Sequence, residues 1–148
     1  MSKYPVWWDT TVTIYNKFID PLTQVVTWYK SIVDNTFWKY IHDKVTIGDT
    51  VLESNRIICR IRENDEYKDK YLWNKLDAKD KASFFTLGQG DIIIKGGVED
   101  TVDEYLSGHR STDLIKKYKE LQGCLEIQVV HDNTGIGRGL PHYLAQGV

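Results

Sequence analysis

The sequence is poor in the groups from which reactive sites are built. Its 148 residues include two cysteines, one methionine, three prolines and four histidines. Cys59 and Cys124 share no C-x-x-C spacing, which excludes a disulfide framework and a thiol-based metal site. Each sits in an apolar, strand-like run and reads as a buried free thiol, because unpaired cysteine behaves as a small hydrophobe. There is no run of about 18 apolar residues, so no membrane-spanning helix is expected. The opening Met1-Ser2-Lys3-Tyr4-Pro5 has no apolar stretch, so no secretory leader is expected, and the cytosol of the producing cell is the default compartment. An excess of one charge is also lacking. A net charge of −2 gives no broad attraction to nucleic acid or membranes.

The reactive side chains that are present do not converge. His42, His109, His131 and His142 form no H-x-H or H-E-x-x-H pattern, and a metal needs three or four convergent ligands. His131 and Asp132 are neighbours on a strand and point to opposite faces. Ser111, beside His109 and Asp113, lacks a nucleophile elbow, and Ser111 or Thr112 reads as the helix N-cap. The run Asn133-Thr134-Gly135-Ile136-Gly137-Arg138-Gly139 follows a strand. Only residues 140–148 remain after it, too few for the helix whose N-terminus would hold a pyrophosphate. It reads as a flexible glycine-rich loop or subunit contact, with Arg138 its one charged group. Glu99-Asp100 and Asp103-Glu104 have no cleft signature around them and read as an acidic, solvated edge. No catalytic residue, metal or cofactor is expected.

What is present is scaffold chemistry. An apolar fraction of 41% and a charged fraction of 27% are those of an ordinary globular chain. One domain of this length can bury roughly 70% of its unfolded surface. Four of the five tryptophans (Trp7, Trp8, Trp28 and Trp38) fall in the first forty residues, around a period-2 pattern. Val12, Ile14 and Phe18 alternate with Thr11, Thr13, Tyr15 and Lys17. Asp20-Pro21-Leu22-Thr23 supplies a turn, and Val26, Trp28 and Ile32 share a face of the next run. Trp28 is expected in the core. Trp7 and Trp8, ahead of the first strand, are expected to contact a neighbouring subunit.

Further strands are expected at residues 36–41, at 50–53 after the Gly48-Asp49 turn, and at 55–62. In the last, Ile57, Cys59 and Ile61 face inward and Arg56, Ile58, Arg60 and Arg62 outward. Residues 91–95, 124–130 (Leu125, Ile127 and Val129 on one face) and 142–144 complete the set. Leu114, Ile115, Tyr118 and Leu121 recur at helical spacing, with Lys116, Lys117 and Lys119 solvated and Gly123 closing the helix. Between Arg62 and Lys81 six basic residues meet six acidic ones, a density that favours exposure. Tyr67, Tyr71 and Trp73 are planted among them, which suits a loop that folds against a neighbouring subunit. The fold expected is mainly β: a small β-barrel or sandwich of about seven short strands with long loops and one α-helix in the C-terminal half. It forms a single domain over residues 1–148, with a charged loop insertion at about 63–83.

The run Trp8-Asp9-Thr10-Thr11-Val12-Thr13-Ile14-Tyr15-Asn16-Lys17, leading through Thr27-Trp28-Tyr29 to Phe37-Trp38-Lys39, resembles the start of small neck proteins of tailed phages and prophages of Gram-positive bacteria. Phe85-Thr86-Leu87-Gly88-Gln89-Gly90-Asp91-Ile92-Ile93-Ile94-Lys95-Gly96 is similar too. So are Asp113-Leu114-Ile115-Lys116-Lys117-Tyr118 and the end through Asn133-Thr134 and Leu140-Pro141-His142-Tyr143. The resemblance spans nearly the whole chain. It implies a head-closure (stopper) or minor capsid protein of the head–tail connector, located in the virion neck and assembled in the host cytoplasm. Such a protein has a small β-barrel fold and forms a six- or twelvefold homo-oligomeric ring. The ring lies below a portal or adaptor protein and above a tail-terminator or tail protein, with genomic DNA passing through its lumen. In that setting residues 63–83 are a candidate subunit contact or channel plug. Glu99, Asp100, Asp103 and Glu104 are candidate channel-lining residues that would repel DNA. The alternatives are a tail-terminator or tail-completion protein of the same neck and, in a different class, an OB-like nucleic-acid-binding module that would use the Arg56-Arg60-Arg62 stripe.

Overall fold

The computed structural model describes residues 4–135 and 140–148. Its six strands are β1 (Thr10–Ile19), β2 (Val26–Ile47), β3 (Thr50–Arg62), β4 (Ile92–Lys95), β5 (Cys124–Asp132) and β6 (His142–Gly147). All pairings are antiparallel, and the sheet closes on itself as a barrel in the order β1-β2-β3-β6-β5-β4. Two short helices, α1 (Lys70–Asn74) and α2 (Ala78–Ser83), lie between β3 and β4. A longer helix, α3 (Ser111–Leu121), lies between β4 and β5.

The mainly β class expected from the sequence is what the chain adopts, with fewer and longer strands. Residues 26–32 and 36–41 belong to one continuous β2. Asn35, at φ 60°, makes a bulge opposite the register shift between Thr10 and Val12. Asparagine tolerates this left-handed conformation, and the extra residue changes the phase of the alternation without ending the strand. Val33 rather than Ile32 therefore enters the core, and Ile32 is exposed. A second shift, between Ile127 and Val129, does the same in β5: Val130 packs against the core and Val129 is exposed.

Inside the barrel Val12, Ile14, Ile57, Cys59, Ile61, Ile93, Leu125 and Ile127 form one apolar cluster, closed by Phe85, Leu87 and Tyr143. The outer face of the β1-β4-β5 side is buried as well. Tyr15, Ile92, Ile94 and Cys124 pack there under Val98 and the Leu114 and Tyr118 face of α3, with Trp28 at the margin. Trp28 thus packs on this outer layer instead of the barrel interior. The two layers explain why β4 reads as an unbroken Ile-Ile-Ile run: both of its faces are covered. Gly123, at φ 107°, ends α3 and donates its N–H to the Tyr118 carbonyl, as the sequence expects. The N-terminal cap is Arg110, whose N–H donates to the Asp113 carboxylate, so Ser111 is the first helical residue and not the cap.

Candidate interaction surface

Beyond the barrel, β2 and β3 continue as a two-stranded arm. β1 pairs with β2 only as far as Thr36, and β6 pairs with β3 only from Ile57 onward. Residues 42–47 and 50–55 then pair only with each other, through the register Val45↔Leu52, Thr46↔Val51 and Ile47↔Thr50. The two-residue Gly48-Asp49 turn has positive φ only at Gly48 (61°), the II′ geometry that suits a twisted hairpin. Lys44–Glu53 at 3.5 Å and Arg56–Asp43 at 3.7 Å tie the arm along its length. Near the tip its side chains are apolar and open: Val45 is 53%, Ile47 63%, Val51 56% and Leu52 51% exposed. The Gly48-Asp49 turn and the strand after it stand as the sequence predicts, but the continuation of β2 through residues 42–47 was missed, because His42, Asp43 and Lys44 interrupt its apolar pattern. The alternation of Val45 and Ile47, then Val51, on both sides of Gly-Asp was the signal that marks it.

At the arm's base a cleft of about 500 Å³ is lined by Tyr40, Ile41, His42, Asn55, Arg56, Ile57, Lys119 and Val148. The Nε of Arg56 is buried without a hydrogen-bond acceptor among the described residues. Lys119, on the exposed side of α3, makes no ion pair among the described residues.

The aromatic residues expected to face a neighbour divide sharply. Trp8 is buried within its own chain: its ring lies 5.4 Å from Tyr4, 6.0 Å from Phe37 and 5.8 Å from His142, on the outer face of the wall where Phe37 pairs with Arg60 and His142 with Arg62. Although it precedes the first strand, Trp8 finds its partners within its own chain, not in a neighbouring subunit, because residues 4–8 fold back over the start of β6, where the Tyr4 hydroxyl donates to the Pro141 carbonyl at 2.6 Å. Trp7 remains exposed.

Trp73 is also fully buried, against Phe18 and Tyr29, with its Nε1 donating to the Phe84 carbonyl. Residues 63–83 are therefore not an open loop. The Asp69 and Asp77 carboxylates cap α1 and α2, and the segment packs Trp73 against β1 and β2 near the turn that joins them. Tyr67 stacks on Tyr143 at 3.8 Å. The buried Lys81 ammonium sits between the Phe18 and Trp73 rings and donates to the Leu76 carbonyl. Of this segment's three candidate contact residues, only Tyr71 stands open. Arg138 lies outside the described residues.

The four acidic candidates also part company. Lys117, 2.8 Å from Asp100, holds that carboxyl below the usual carboxylate range, its hydrogen bond outweighing the opposing effect of burial. Glu104 accepts from Trp28 Nε1 at 2.9 Å and from the Ser111 N–H. Asp103 accepts from the Tyr105 N–H in a local turn, and Glu99 is exposed. Arg56, Arg60 and Arg62 do face outward. Arg60 lies over the Phe37 ring and Arg62 over the Tyr4 ring, so their faces are occupied by their own chain's aromatics. Among the described residues no group of three or more His, Cys, Asp or Glu side chains could hold a metal ion, and no helix is long and apolar enough to cross a membrane.

An antiparallel barrel with its tryptophans largely buried in its own chain and one arm left open defines a small class of domain whose most available surface is a projecting hairpin. The chain belongs to the family described as a family of unknown function (DUF6751), whose model matches residues 7–148. No curated protein matches it, and no solved structure does.

Proposed function

We propose that this chain is a structural subunit of the neck of a tailed-phage or prophage particle: a head-closure (stopper) protein. It assembles as a homo-oligomeric ring, joins head to tail and closes the DNA channel. The observation that carries the reading is the arm. A two-stranded ribbon standing free of its sheet is marginal in water, and open Val45, Ile47, Val51 and Leu52 on it make it a surface suited to burial in a neighbour. A single arm per chain also suits a ring, in which one patch meets a different patch on the next copy. The small antiparallel barrel is the fold that the sequence resemblance implies for such a protein. In that ring Glu99 and Asp103, which form no ion pair among the described residues, are the better candidates for the lumen wall, where they would keep DNA from adhering. Asp100 and Glu104 act mainly as struts for α3.

The experiment that tests the reading is electron microscopy of the particle neck. The expected result is a ring of this chain beneath the portal or adaptor, with the arms bridging adjacent copies. Density for this chain only at the tail-facing side would favour a tail-terminator role, and its absence from the neck would overturn the proposal.

A further inference from the structure

Resting on the ring reading, the geometry points to a specific contact: we propose that the hairpin tip of one copy, residues 47–51, seats in the cleft at the arm's base on a second copy of the chain. The Asp49 carboxylate then meets Lys119 and Arg56.

Three observations select this occupant. The first is apolar fit. The cleft is walled by Tyr40, Ile41, Ile57 and Val148, and the tip carries Ile47 and Val51 on either side of its turn, both more than half exposed. The second is charge. The tip's one ionic group is Asp49, and the cleft is lined by Lys119, which makes no ion pair among the described residues, and by Arg56, which lies 3.7 Å from Asp43 and keeps 41% of its side chain exposed. A carboxylate arriving there gains charge-assisted hydrogen bonds from the exposed ammonium and guanidinium. The third is reach. The strand from Tyr40 to Gly48 extends roughly 26 Å at about 3.3 Å per residue, so a tip cannot reach the cleft of its own chain. The contact has to form between copies, and its two sides are different patches. Repeated from copy to copy, it generates a ring if the rotation closes.

The test uses the full chain carrying Asp49→Cys together with Lys119→Cys, both exposed positions at which cysteine is tolerated. Cys59 and Cys124 are buried and do not compete. Under mild oxidation at high protein concentration, the expected product is an interchain disulfide between residues 49 and 119, mapped by mass spectrometry, in a ladder of two and more chains. Asp49→Lys should weaken association about tenfold, as a like-charge contact does, and adding Lys119→Asp should restore most of it. No interchain 49–119 disulfide, or a 49–49 disulfide from tip-to-tip pairing, overturns the inference. A product closed at two chains by two 49–119 disulfides upholds the contact and counts against the ring. A ring in the neck whose tips lie elsewhere overturns the contact and leaves the proposed function standing.

Discussion

The Lys70 ammonium lies 3.1 Å from both carboxylate oxygens of Asp91, a side chain with no exposed surface. Asn16 Nδ2 at 3.0 Å and the Lys17 N–H at 2.9 Å complete the carboxylate's partners. The pair fastens α1 to the loop before β4, and through Asn16 it reaches β1. Burial raises the Asp91 carboxyl above its ordinary range, while Lys70 and the Lys17 N–H pull it back.

Replacing Lys70 with Met should therefore leave an uncompensated buried charge. We expect a loss of roughly 3 kcal/mol near neutral pH, at the lower end for a broken buried pair because the ammonium is partly exposed. The sign with pH follows. Without Lys70 the folded-state affinity of Asp91 for its proton rises further above that of the unfolded chain. The variant's deficit should then shrink as pH falls through the folded-state value and grow above it. Urea titrations of both proteins at pH 5 and pH 7.5 measure this. A deficit that does not depend on pH would assign the pair no electrostatic role.

Trp73 and Tyr71 should separate folding from docking. Trp73→Ala removes a fully buried indole and should cost about 3–5 kcal/mol. Tyr71, 68% exposed, with its hydroxyl accepting from Lys75 of its own helical segment, should change stability by no more than about 0.5 kcal/mol when replaced with Ala. If the outer face of residues 63–83 is a subunit contact, Tyr71→Ala lowers assembly while leaving the melting curve unchanged. Unaltered assembly would remove the segment from the interface.

Those two residues also mark what the sequence could tell. Local alternation was legible wherever a strand kept its phase: Val12 and Ile14, or Ile57, Cys59 and Ile61, all point inward as the pattern says. It failed where a single residue changed the phase, at Asn35 and near Gln128, because period-2 reasoning carries no memory across a bulge. The helix α3 was legible from Leu114 and Tyr118. Helices of five and six residues held by Asp69 and Asp77 caps carry too little periodicity to rise above the charge around them. Mixed charge therefore read as an open loop, although Trp73 argued otherwise. The surface we assign to assembly was the least legible part, since it is defined by where neighbouring strands stop pairing, a property of topology and not of residue type.

Cys59 and Cys124 should be inert in the folded chain. Burial pushes each thiol up to about 12, so almost no thiolate exists near neutrality. A thiol reagent at pH 8 should find no reactive group in the native protein and two in urea. The same shift gives a pH dependence. The folded state keeps both thiols protonated while the unfolded chain begins to release them above about 8.5. Stability contributed by these groups is thus complete below that pH and falls away as pH climbs toward 12.

Gly147 should be the least replaceable glycine in the barrel. It pairs with Ile57 on β3 and with Ile127 on β5, where β6 closes the sheet. A Cβ at this position would stand 1.8 Å from the Glu126 carbonyl oxygen and 2.5 Å from Leu125 Cδ1. Leu125 could shift its side chain, but Glu126 presents backbone that is itself fixed by pairing with Ile92. Relief requires separating β5 from β6 at the point where the barrel closes. Gly147→Ala should therefore cost about 3 kcal/mol, the upper end for overpacking, and lower the melting temperature by roughly 2–4 °C for each of those kcal/mol. Gly97 is the control: it has no atom within 4 Å of an added Cβ, so Gly97→Ala should stay within about 0.5 kcal/mol of the parent. Equal melting temperatures for the two variants would mean that β6 does not close the sheet through this glycine.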